Sequence, residues 1–208
     1  MIEEVLLHQL RHQFPLHILD DEIIASLLMH VPSAKVSCLS CFSCWSDFHK
    51  ATSIDPLNSR QYAIFLAILS RSLYKADLHR ASDIIAYLNK SVNGCEIYGH
   101  VPLRPNFMIG HTLGIVLGQA IYGDYLCLQH NVTIGRWMES YPCIGDRVVI
   151  MNGAVVAGNT NIGDNSIISA GVRIINQHVP ANSIVFNGEG KELVFKPNKN
   201  NWIERFMA

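Results

Sequence analysis

No excess of charge of either sign marks this chain, since 16 Lys and Arg stand against 17 Asp and Glu in 208 residues. A net charge of −1 offers no basic field to nucleic acid or an anionic lipid surface, which argues against a polyanion-binding role. Although 49% of the residues are hydrophobic, no uninterrupted apolar run approaches the ~20 residues of a membrane span. The opening Met1-Ile2-Glu3-Glu4 lacks the basic and apolar regions of a secretory signal, so the expected location is the cytoplasm and the six cysteines are expected as thiols. Cys38, Cys41 and Cys44 are spaced like metal ligands, but a closed site needs four and no fourth Cys or His stands at ligand spacing. The same spacing describes one face of a helix, so they read as structural thiols and no metal is expected. Cys95, Cys127 and Cys143 read as small packing residues.

What the chain does have is two patterns in succession. Over 1–92, apolar residues such as Leu6, Leu7, Leu10, Ile23, Ile24, Leu27 and Leu28 recur at three- and four-residue spacing, which predicts a small helical domain. Asp20-Asp21 and Asn58-Ser59 supply helix caps, and Asp55-Pro56 breaks the chain between helical segments. Over 93–185, glycine, asparagine and β-branched residues take over and aliphatic residues return every sixth position. Ile97, Leu103, Ile109 and Ile115 keep this phase, as do Ile144, Ile150, Val156, Ile162, Ile168 and Ile174, with small or β-branched residues four positions on. Between the two runs the phase continues through Ala120, Leu126 and Val132 after a one-residue deletion, in preference to Ile121, Cys127 and Thr133.

A six-residue period suits short strands joined by tight turns, three strands to an eighteen-residue coil: a parallel β-helix of triangular section. Gly153, Gly158, Asn159 and Asn165 are residue types that tolerate positive φ at its corners. The expected architecture is α+β, with a helical domain, four to five coils, a loop protruding at Arg136–Cys143 and a tail over 186–208.

These hexads resemble the hexapeptide-repeat acyltransferases, whose prism is left-handed, and among them the serine acetyltransferases. Gly110-His111-Thr112-Leu113-Gly114-Ile115-Val116-Leu117-Gly118 is similar to the family's motif around its catalytic histidine. Leu128 to Gly135 is similar to the strand leading into its active-site loop, and Asp47 to Pro56 to the end of its helical domain. The resemblance implies acetyl-CoA as co-substrate, His111 as general base and Glu96, fifteen residues upstream, as the carboxylate that orients it. A base near neutral pKa removes the proton of an attacking hydroxyl, and a carboxylate on the other ring nitrogen fixes the tautomer. His130 reads as a corner-packing or trimer-interface residue. Coenzyme A is expected to lie along small residues, matched here by Gly153, Ala154, Ala170 and Gly171, with Lys191 near its phosphates. The resemblance also implies a homotrimer with sites at subunit boundaries, and a helical domain placed to pair trimers.

Several matched positions depart from the family. Gly110 stands where an aspartate precedes the histidine, and Ser140-Tyr141 replace an Arg-His pair; those groups grip the ammonium and carboxylate of serine. Asp55 is retained, and Arg136 offers a guanidinium from another angle. The chain ends Arg205-Phe206-Met207-Ala208 without the isoleucine through which family members dock into the next enzyme. With Tyr141 and Ser140 on the loop, the first expectation is O-acetylation of a sugar or saccharide precursor. Serine O-acetylation is the alternative, and a non-catalytic scaffold a third reading.

Overall fold

The computed structural model describes residues 1–190, 192–199 and 202–208. Four helices come first: α1 (Ile2–Gln13), α2 (Asp21–Ser43), α3 (Ser59–Lys75) and α4 (His79–Asn93). The expected caps form, Asp20 accepting from the Ile23 N–H at 2.8 Å and Asn58 from the Gln61 N–H at 3.3 Å. Helix α2 spans 23 residues and, among the described residues, is the one helix long and apolar enough by composition to cross a membrane, a length the sequence pattern did not reveal. It packs Leu27, Val31, Ala34, Cys38, Cys41 and Phe42 into the core, and carries Pro32. Cys38 and Cys41 are thus packing residues, and the Cys41 thiol donates to the Phe107 carbonyl at 3.2 Å, tying the helices to the prism.

About five coils follow, forming the left-handed β-helix. The first holds β1 (Cys95–Ile97) and β2 (Phe107–Ile109). The second holds β3 (Ile115–Leu117), β4 (Ile121–Tyr122) and β5 (Leu126–Leu128), and the third β6 (Thr133–Gly135), β7 (Cys143–Ile144) and β8 (Val149–Ile150). The fourth holds β9 (Val155–Ala157), β10 (Asn161–Ile162) and β11 (Ile167–Ile168), and the fifth β12 (Arg173–Ile175), β13 (His178–Val179) and β14 (Ser183–Asn187). One face is β1-β3-β6-β9-β12, a second β4-β7-β10-β13, and a third β2-β5-β8-β11-β14, all parallel. Strand β15 (Leu193–Pro197) then pairs antiparallel with β14. A short 3₁₀ helix (Trp202–Arg205) leads the chain back to the helical domain, where the Ser46 N–H donates to the Phe206 carbonyl at 2.8 Å and the Ala208 N–H to the Cys44 carbonyl at 3.1 Å.

The ladders inside the prism are aliphatic. On the first face Ile97, Leu117, Ile134, Val156 and Ile174 stack in register, and on the third Ile109, Leu128, Ile150, Ile168 and Val185. All are at most 2% exposed, and each contributes on the order of 1.5–3 kcal/mol by leaving water. Ala120, Leu126 and Val132 point inward as expected, whereas Ile121 is 54% exposed. They occupy the second inward position of each hexad, however, and Leu117, Tyr122, Leu128 and Ile134 hold the register of the inward ladder, aromatic at Tyr122 and aliphatic at the others. Ile115 falls in the second set too, because the corner after β2 is two residues longer than a plain hexad. Leu103 joins no strand: 98–106 form a loop, and the second face lacks a first-coil strand.

Candidate active site

The site is built on the corner between the third and first faces. Left-handed residues stack there coil on coil: Gly94, Gly114, Asn131, Gly153 and Gly171, with φ from 55° to 74°. The Gly114 N–H donates to the Gly94 carbonyl at 2.9 Å and the Asn131 N–H to the Leu113 carbonyl at 2.8 Å, so the loop from Gly110 to Gly114 is pinned from both sides. At Gly114 a Cβ would lie 2.1 Å from Asn131 Oδ1, and glycine is the residue that fits both the φ and the space.

His111 projects from this loop into solvent, and His130, one coil on at the same corner, meets it edge to face with ring centroids 5.6 Å apart. His130 is half-buried, and its buried Nδ1 has no hydrogen-bond partner among the described residues. An imidazole at that position with an unused nitrogen can orient the His111 ring or take a proton from a bound group. Beside it Gly110 leaves a space that Gln129 fills, since a Cβ at 110 would stand 2.4 Å from Gln129 Nε2. An aspartate at 110 and this Gln129 rotamer exclude each other; the signal in the sequence was the glycine itself.

Glu96 lies on β1, facing outward opposite Val116, and its carboxylate is held by Lys90 of α4. Twenty residues separate the paired Cys95 and Ile115, so the first coil is longer than eighteen and sets Glu96 level with Val116, five positions past His111. No contact between Glu96 and His111 is formed in this conformation. Lys90 is raised above its ordinary pKa chiefly by that hydrogen bond.

Gly153, Ala170 and Gly171 lie on the same corner as His111, with Ala170 and Gly171 exposed and nothing within 4 Å of a Cβ at Gly171. Successive coils stand about 4.8 Å apart, so this open edge runs roughly 15 Å along the prism from the histidine loop. Ala154 does not belong to it: the side chain is fully buried in the prism, its N–H donates to the Met151 carbonyl and its carbonyl accepts from the Thr133 N–H. Lys191 lies outside the described residues.

Arg136 and Tyr141 sit elsewhere. Their loop joins β6 to β7 and leaves the corner between the first and second faces, so the whole first face separates it from His111 within one chain. A bridge between Trp137 and Ser140 closes the loop, and Arg136 is spent inside it on the Met138 carbonyl and, at 3.1 Å, on Glu139 Oε2. Asp55 opens the turn before α3, where one carboxylate oxygen accepts from the Leu57 N–H at 2.9 Å and the side chain remains exposed.

Residues 144–176 match the family described as bacterial transferase hexapeptide (six repeats). The chain is 32% identical over 124 residues to a serine acetyltransferase of Synechococcus elongatus, covering 57% of this chain and 50% of that protein. It is 30% identical over 129 residues to a serine acetyltransferase of Staphylococcus aureus, covering 60% of each. The chain thus spans between half and three fifths of these relatives. Among solved structures, serine acetyltransferase isoform 3 of Entamoeba histolytica, in complex with cysteine, superposes with a TM-score of 0.65 at 26% identity, over 88% of this chain and 68% of that one. The serine acetyltransferase of Vibrio cholerae gives a TM-score of 0.69 at 21% identity over 88% and 73%, a likeness of fold. The resemblance to serine acetyltransferases therefore stands, and these relatives are named for serine, not for a saccharide.

Proposed function

We propose that this chain is an acetyl-CoA-dependent O-acetyltransferase whose acceptor is the hydroxyl of serine. The observation that carries the reading is the coincidence, on one open edge, of His111 with the small residues Gly153, Ala170 and Gly171, in a chain that resembles serine acetyltransferases. His111 takes the acceptor hydroxyl's proton as its oxygen attacks the thioester carbonyl. Collapse of the tetrahedral intermediate breaks the C–S bond, and His111 returns the proton to the departing coenzyme A thiolate. Direct transfer of this kind needs both substrates held together and no acyl-enzyme. His130 braces the imidazole, and Glu96, once released by Lys90, is the carboxylate assigned to stabilise its charged form.

The loop with Arg136 and Tyr141 lies across the first face from its own chain's His111, which fits a homotrimer in which one copy's loop meets another's histidine. Asp55 is assigned to the acceptor. A saccharide hydroxyl is the second reading, favoured by two observations: neutral Gln129 occupies the space of the aspartate that Gly110 lacks, and Arg136 is already engaged by Glu139. The deciding experiment is coenzyme A release with L-serine against sugars and nucleotide sugars. Serine-dependent release supports the first reading, saccharide-dependent release with serine inert the second, and none with any acceptor removes both.

A further inference from the structure

The missing first-coil strand of the second face leaves a cleft of about 670 Å³ between α3 and the loop 98–106, a size in the range of small-molecule sites. In a triangular prism this face is opposite the corner that carries His111, so the cleft is separate from the edge assigned to acetyl transfer. Its walls are unlike the rest of this nearly neutral chain. Arg71, Lys75 and Arg104 line it, and no Asp or Glu does among the described residues. Ile68, Val101 and Ile121 form an apolar wall, and the otherwise unexplained exposure of Ile121, at 54%, falls here.

Arg71 shows how the cleft is prepared. Its Nη1 donates to the Gly99 carbonyl at 3.0 Å, which fixes the guanidinium against the loop. Its Nε is buried and has no partner among the described residues. That N–H is closed off from the cleft, but Nη2 makes no hydrogen bond among the described residues, and a guanidinium held in place with that amino group to spare is suited to a planar or tetrahedral oxyanion. Lys75 and Arg104 are exposed at the rim, where their charges attract an anion without a carboxylate to neutralise them.

We propose that this cleft binds a small organic anion, its phosphate or carboxylate head on Arg71, Lys75 and Arg104 and its apolar body against Ile68, Val101 and Ile121. The site joins the helical domain to the prism and is independent of the acetyl-transfer assignment. The test is calorimetric titration of the full chain with phenyl phosphate at low ionic strength, without acetyl-CoA, beside inorganic phosphate and phenol. The expected result is binding at least tenfold tighter than either fragment, weakened by added salt. Arg71→Met is expected to weaken it about tenfold or more, as loss of a charge-assisted contact does. Because Arg71 also steadies the loop, the double variant Lys75→Met with Arg104→Met, both at exposed positions, gives a second reading and is expected to weaken binding at least tenfold. Absence of phenyl phosphate binding, inorganic phosphate binding as tightly, or an unchanged affinity in the double variant would each overturn the proposal.

Discussion

Replacing Gly114 by alanine tests how the histidine loop is held. Two costs add at this position. With φ at +74° an alanine pays the left-handed penalty of about 1–2 kcal/mol. The new Cβ would also stand 2.1 Å from Asn131 Oδ1, 3.1 Å from its Cγ and 3.3 Å from its Cα. The amide oxygen can swing away, but the backbone of the next corner cannot, and such overpacking adds roughly 1–2 kcal/mol. Gly171 is the internal control, with φ +69° and nothing within 4 Å, so Gly171→Ala meets the backbone penalty alone. For a chain of this length about 1 kcal/mol lowers Tm by ~2–4 °C, which puts Gly171→Ala, costing about 1–2 kcal/mol, at ~2–8 °C and Gly114→Ala, costing about 2–4 kcal/mol, at ~4–16 °C. Melting is followed by circular dichroism at one fixed protein concentration, because an oligomer's Tm depends on it. Asn131→Gly tolerates the left-handed φ and removes the Oδ1 and Cγ contacts while leaving the Cα, so in the Gly114→Ala background it is expected to recover part of the overpacking cost, roughly 0.5–1 kcal/mol, beyond its own effect. Equal losses at Gly114 and Gly171, or additive behaviour with Asn131→Gly, would refute the argument that the corner stack pins the loop.

Three further outcomes follow from the site and its packing. His111→Ala is expected to lower turnover ~10²–10⁴-fold while coenzyme A affinity, measured by calorimetry, holds; unchanged turnover would remove His111 from the reaction. Glu96→Gln is expected to lower turnover less and to shift the pH–rate profile, and an identical profile would leave Glu96 only its Lys90 pair. Burial pushes the Cys41, Cys95 and Cys127 thiols from 9.0 to about 12, and raises Tyr62 and Tyr122 as well. The folded chain therefore keeps protons that the unfolded chain releases, so stability is full below about pH 9 and falls as pH rises toward 12. Denaturant midpoints at pH 8 and 10.5 check this, with a shallower fall expected in Cys127→Ala and equal midpoints contradicting it.

The prism was legible because its interior admits two inward positions per hexad and fills both with apolar or small residues, from Ile144 to Ile174 without a break. The same regularity concealed the phase before Ile144. Those positions alternate two residues apart, so the two-residue extension at the His111 corner exchanges one inward set for the other and leaves the apolar spacing intact. It also lengthens the first coil and carries Glu96 past His111, which a count of fifteen residues against eighteen did not reveal. His111 was read from its motif, and the edge shared with Gly153 and Gly171 from glycine's preference for corners. Lys90 and Gln129 were not, since each acts through a neighbour that only the stacking of coils supplies. Ala154 looked like its glycine neighbour in sequence, but the pleat turns it inward.

The central claim, that the His111 edge transfers acetyl from acetyl-CoA to serine, is tested most directly by acceptor-dependent release of coenzyme A. Release is followed with a thiol reagent, with a blank for Cys44 and Cys143, which are partly accessible. Wild type and His111→Ala are compared with L-serine and with a sugar and nucleotide-sugar panel. The account predicts serine-dependent release in wild type and its loss in His111→Ala; serine-independent hydrolysis alone, or full activity in His111→Ala, would contradict it.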